Sequence, residues 1–69
     1  MIIERLGSTV VIKRSIDSAY YVMIGITMIG FYDDQGEAME TRSIDRPHND
    51  YTIGDCIALL EHLEWRITF

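Results

Sequence analysis

The chain has 69 residues, 48% of them apolar, and a net charge of −5. That length fits one domain, residues 1–69, near the size at which a single core barely offsets chain entropy, and the apolar content excludes a disordered chain. The one cysteine, Cys56, excludes an internal disulfide. With a start that shows no basic segment leading into a signal-type apolar stretch, it sets the expectation of a reducing, cytoplasmic setting.

Residues 2–6 are short and apolar-leaning, and Gly7-Ser8 follows as a turn or bulge. Residues 9–14, Thr-Val-Val-Ile-Lys-Arg, read as a β-branched strand with residues 15–18 as its turn. Residues 19–32 are fourteen positions without a charge. They are too short to span a bilayer as a helix, and Gly25, Thr27, Gly30 and the aromatics mark them as a long strand, bent or bulged at one of the glycines. No membrane contact is expected. Asp33-Asp34-Gln35-Gly36 fits a type I turn with a left-handed glycine. Residues 37–44 then return as a more polar strand at or near an edge.

Residues 45–51 form a loop around the only proline, Pro47. Thr52 as N-cap and Asp55 three residues on make a short capping box. Ile53, Cys56, Ile57, Leu60 and Leu63 follow helical spacing and define one stripe toward the sheet. The helix is expected to end near Glu64, with His62 beside its negative end. Residues 65–69 read as a last strand, parallel to residues 9–14 after a right-handed crossover. The expected fold is α+β: a four-stranded, mainly antiparallel sheet with one helix on one face, in the order β-β-β-α-β.

Hairpin pairing assigns the faces. The turn at residues 15–18 sets Val10 and Ile12 beside Ile24 and Val22. The turn at residues 33–36 sets Met39 beside Gly30 and Thr41 beside Met28. The even side of the long strand, Val22, Ile24, Ile26 and Met28, is then expected under the helix. Its odd side, Tyr21, Met23, Ile29 and Phe31 with Val11 as neighbour, is left uncovered. One helix shields one face of a sheet, and an apolar patch of this extent marks an interaction surface.

No constellation names a reaction. Cys56 sits on the apolar stripe, and His48 and His62 share no metal-ligand spacing with it or with each other. No glycine-rich loop followed by lysine is present, and the carboxylates at the hairpin tip lack the apolar cleft that raises a pKa. No enzyme activity, metal or cofactor is expected. Charge is segregated. Residues 1–32 hold three bases against two acids, +1, and residues 33–69 hold three bases against nine acids, −6. The acidic half repels nucleic acid and attracts basic proteins. Asp33, Asp34, Glu37 and Glu40 gather on the hairpin tip and returning strand, and carboxylates spaced along one face of a strand can imitate the phosphates that a basic groove binds.

In type, being short, acidic, sheet-plus-helix and without a catalytic set, the chain resembles small proteins encoded by phages and mobile elements. Many of those inhibit host defence or nucleic-acid enzymes, anti-CRISPR proteins and glycosylase inhibitors among them. The resemblance implies an inhibitor that occludes a nucleic-acid-handling or defence protein. The expected partner-binding residues are Tyr21, Met23, Ile29 and Phe31 with Asp33, Asp34, Glu37 and Glu40, and the expected partner is a basic nucleic-acid-binding protein rather than nucleic acid itself. The alternative is a structural homodimer sealed by the same patch. A small-molecule site ranks last, because so small a domain rarely encloses a pocket of roughly several hundred Å³.

Overall fold

A computed structural model describes residues 1–68. Five strands, β1 (Ile2–Leu6), β2 (Thr9–Lys13), β3 (Tyr21–Ile24), β4 (Met28–Tyr32) and β5 (Ala38–Ser43), form one antiparallel meander in chain order. A 3-10 turn at His48–Asp50 leads into α1 (Ile53–Thr68), which packs on one face. The fold is α+β with a single helix on one side, as the sequence indicates. The strand count is five rather than four, and the helix comes last rather than before a final strand.

The uncharged run is two strands. Gly25 N donates to Met28 O at 2.8 Å and closes a tight hairpin through Ile26 and Thr27. Ile24 then pairs with Ile29 and Val22 with Phe31, so even positions of β3 share a face with odd positions of β4. Val22 and Ile24 lie under the helix as expected, but Ile29 and Phe31 join them, 2% and 0% exposed. Both were expected on the uncovered face, and both are core. Ile26 and Met28, expected under the helix, are 65% and 48% exposed. One turn exchanged the faces, since side chains alternate with a period of two.

On the other side of β3 the pairing agrees with the sequence: Val10 meets Ile24 and Ile12 meets Val22. Beyond β4 it shifts by two residues, with Gly30 against Thr41 and Met28 against Ser43 rather than against Met39 and Thr41. A bulge sets Phe31 opposite Glu40 and Tyr32 opposite Ala38, leaving Met39 as the extra residue. The hairpin tip itself forms as read. Gly36 takes a φ of 77°, and Asp33 Oδ1 accepts from the amides of Gln35 at 2.8 Å and Glu37 at 2.9 Å.

The edge expected for residues 65–69 is occupied by β1, which pairs with β2 from Ile2↔Lys13 to Leu6↔Thr9 across a two-residue turn with Gly7 at φ 65°. Residues 65–68 continue the helix, and Phe69 lies outside the described residues. Their β-branched and aromatic content is overridden by tertiary contacts. Arg66 Nη2 donates to Met39 O at 2.8 Å, the Trp65 ring stacks 5.8 Å from His62, and Arg14 Nε donates to Glu64 Oε1 at 2.6 Å.

The core is a single layer between helix and sheet: Val10, Ile12, Val22, Ile24, Ile29 and Phe31 below, Cys56, Leu59, Leu60 and Leu63 above. The buried helical stripe is turned toward Leu59 relative to the expected one, leaving Ile53 and Ile57 59% and 47% exposed. The capping box is present. Asp55 N donates to Thr52 Oγ1 at 3.1 Å, and Thr52 N donates to Asp55 Oδ2 at 2.8 Å. The Thr52 amide and the Thr52 hydroxyl, which also donates to Asp55 Oδ2 at 2.9 Å, hold the Asp55 carboxyl below its usual range, with Arg46 beside them.

Candidate functional site

The face of the sheet opposite the helix is a grid fixed by register. Its middle row runs Glu4, Val11, Met23, Gly30, Thr41, because these residues are consecutive cross-strand partners. The row on one side contains Ile2, Lys13, Tyr21, Tyr32 and Ala38, and the other begins with Leu6 and Thr9 and ends with Met28 and Ser43. Glu4, Leu6, Val11, Lys13, Tyr21 and Met23 line one shallow depression of about 240 Å³. Leu6 and Met28, 59% and 48% exposed, extend the apolar surface at one end.

Two aromatic rings shape the grid. Tyr21 and Tyr32 are direct partners, and their rings stack with centroids 4.9 Å apart and planes 7° from parallel. Tyr32 also folds over Gly30: a Cβ at that position would lie 2.5 Å from Tyr32 Cε1. Glycine is needed there so that the phenol can lie flat on the backbone. The result is a stacked, half-buried aromatic pair beside Met23 and Val11, rigid and amphipathic, the side-chain chemistry enriched at protein interfaces.

Of the eight expected partner-binding residues, the structure places Tyr21 and Met23 on this outer face and Ile29 and Phe31 in the core. The acidic four do not form one free cluster. Asp33 caps its own turn. Glu40 lies on the helix side of β5 at the centre of a polar network. Its Oε1 is 2.8 Å from His62 Nε2 and 3.4 Å from Arg66 Nε, and its Oε2 is 3.1 Å from Arg42 Nη2. The hydrogen bond to His62, more than any other contact, holds the Glu40 carboxyl below its usual range, with Arg42 adding to it. His62, expected to act at the helix terminus, instead bonds Glu40 and meets the Phe31 ring edge-on at 4.9 Å. Asp34 and Glu37 remain exposed at the tip.

A second depression of about 240 Å³, between β5, the following loop and α1, is lined by Arg42, Arg46, Asp45, Asp55 and His62. Each arginine is matched: Arg42 by Glu40, and Arg46 by Asp55 at 2.9 Å and Asp45 at 3.7 Å. It therefore offers no uncompensated charge to a ligand. Burial pushes the Cys56 thiol up, which makes it a poor nucleophile. Among the described residues no three of His, Cys, Asp and Glu are placed to hold a metal, and no helix is long and apolar enough to cross a membrane.

Sequence reasoning missed Glu4, Leu6, Lys13 and Tyr32 as members of the outer face. For Glu4 and Leu6 the signal was Gly7-Ser8, since a two-residue turn there makes residues 2–6 a strand paired to β2; Tyr32 is brought to this face by the turn at Gly25. No family model matches the chain, and no curated protein or solved structure matches it.

Proposed function

We propose that this chain is a non-enzymatic protein-interaction module that works through the uncovered face of its sheet, and that the surface seated there is a second copy of the chain. The observation that carries the reading is the grid itself: a sheet face that the helix does not cover, with Val11 buried among its neighbours at 8% exposed and Tyr21, Met23 and Tyr32 half-buried around it. Charge favours the second copy. The chain carries −5, yet among the described residues the grid holds one acid, Glu4, and one base, Lys13. Two such faces meet without the like-charge repulsion that other surfaces of this acidic chain would impose.

The face is small. Five strands about 4.8 Å apart, each about five residues long at about 3.3 Å per residue, give a face of about 400 Å². Two copies seal about 800 Å², below the standard size of specific interfaces, which fits a weak, reversible dimer with a dissociation constant on the order of 100 μM. Exposed Asp34 and Glu37 alone are too few to support phosphate mimicry, so the apolar face rather than the acidic tip carries the proposal. The expected inhibitory role rests on composition and type only.

Sedimentation velocity from about 5 to about 500 μM tests it, since mass action must shift the species over that range. The wild type is expected to pass from monomer to dimer, and Met23→Glu to stay monomeric with an unchanged far-ultraviolet spectrum. A wild type that is monomeric throughout, or a Met23→Glu variant that dimerises like the wild type, overturns the proposal.

A further inference from the structure

The two edges of the sheet are built differently. The β5 edge carries a bulge, and the carbonyl of its extra residue, Met39, is capped by Arg66. Bulges and covered edge groups are the means by which proteins block strand addition. Among the described residues the β1 edge has neither. Its five residues pair with β2 in unbroken register, and the backbone groups on its outer side face no further strand.

Beside that edge lies a groove of about 230 Å³. The helix packs chiefly on β2 and β3, so the helix-side residues of β1, Ile3 and Arg5, overhang it. Val10, Ile24 and Cys56 form the apolar floor, and Ile53 stands at the rim, 59% exposed. Ile3 and Ile57 are also exposed, 36% and 47%. Arg5 is exposed and forms no salt bridge among the described residues, whereas Arg42, Arg46 and Arg66 all face acids.

We propose that the β1 edge and this groove form a second docking site, which takes an extended polypeptide segment as a sixth strand, with an apolar side chain in the groove and an acidic one on Arg5. Backbone hydrogen bonds along the edge supply affinity, and alternate side chains entering the groove supply selectivity. A second copy of this chain is the wrong occupant. Antiparallel self-pairing of β1 over its full length sets Glu4 directly against Glu4, and like charges in that position repel. A foreign segment avoids this, and it is selected by an acid on the helix side and a base on the Glu4 side.

The test uses a capped peptide in which Val, Asp and Val alternate with Thr, Lys and Thr, titrated into the isotope-labelled full chain. Amide shifts are expected at Ile3, Arg5 and Ile53, together with slowed amide exchange in β1. Replacing the peptide's Asp by Lys is expected to weaken binding about fivefold, as for opposed charges across a ladder. Arg5→Glu inverts the order of the two peptides, and Ile53→Asp weakens both. Met23→Glu leaves peptide binding intact, which separates this site from the outer face. Shifts confined to β5 or the outer face, absence of binding at millimolar peptide, or an order of affinities that Arg5→Glu does not invert overturns the proposal.

Discussion

Replacing Phe31 with Ala probes the exchange of faces at the Gly25 turn. Phe31 is fully buried, with the His62 ring edge-on at 4.9 Å and the Arg42 guanidinium 4.9 Å from its centroid. Truncating a buried phenylalanine costs about 3–5 kcal/mol, because the transfer energy is lost and a cavity remains. A domain of this length has a total stability of about 3–10 kcal/mol, so the variant loses most or all of it. Met23 is only half-buried and faces away from the helix, so Met23→Ala should cost about 1 kcal/mol in the monomer. Urea unfolding followed by helical circular dichroism at low protein concentration measures both. With a slope of about 1 kcal/mol per molar urea, Phe31→Ala moves the midpoint down by about 3 M or leaves the chain unfolded in buffer. A Phe31→Ala cost below about 1 kcal/mol, with Met23→Ala the more damaging change, would refute the face assignment.

Other expectations follow from local geometry. Thr52→Ala removes the hydroxyl that accepts from Asp55 N and should cost about 1 kcal/mol, read as a lower unfolding midpoint. Glu40 and Asp55 both have folded pKa values below their ordinary 4.5 and 3.8. The unfolded chain therefore binds protons first, and their contribution, complete above those ordinary values, is lost as pH falls through the lower folded ones. Glu40→Gln should flatten the acid limb of a stability–pH curve below about pH 4.5, and an unchanged limb would remove Glu40 from the account. Gly30→Ala forces the Tyr32 ring off the backbone and breaks its stack with Tyr21, a loss of about 1 kcal/mol that near-ultraviolet dichroism of the tyrosines should register.

The legible parts of the fold were those marked by polar turn residues. The hairpins at residues 15–18 and 33–36 were both readable, and the first set the pairing of Val10 and Ile12 with β3 correctly. The turn at Gly25, Ile26 and Thr27 was hidden because no charged residue interrupts the run, and apolar continuity reads as one strand. That single omission moved Ile29 and Phe31 to the wrong face while leaving Tyr21 and Met23 on the right one. The end of the chain misled for a different reason. Trp65, Ile67 and Thr68 favour strands locally, but Arg66 on Met39 O and Trp65 against His62 keep them helical. The acidic set was visible as composition, but the sequence could not show that Asp33 serves its turn and that Glu40 bonds His62 and pairs with Arg42 and Arg66.

In the proposed dimer, the sheet face bearing Val11, Met23 and the Tyr21–Tyr32 stack closes on a second copy. Amide chemical shifts of the labelled chain, recorded as protein concentration rises from about 10 μM to about 1 mM, test it, since a dimer with a dissociation constant on the order of 100 μM is mostly monomeric at one end and mostly associated at the other. Saturable shifts are expected in β2, β3 and β4 at Val11, Met23, Tyr21 and Tyr32, with Leu60, Leu63, Ile53 and Ile57 unmoved. Spectra that do not change with concentration, or changes centred on Ile53 and Ile57 of the helix, would contradict it.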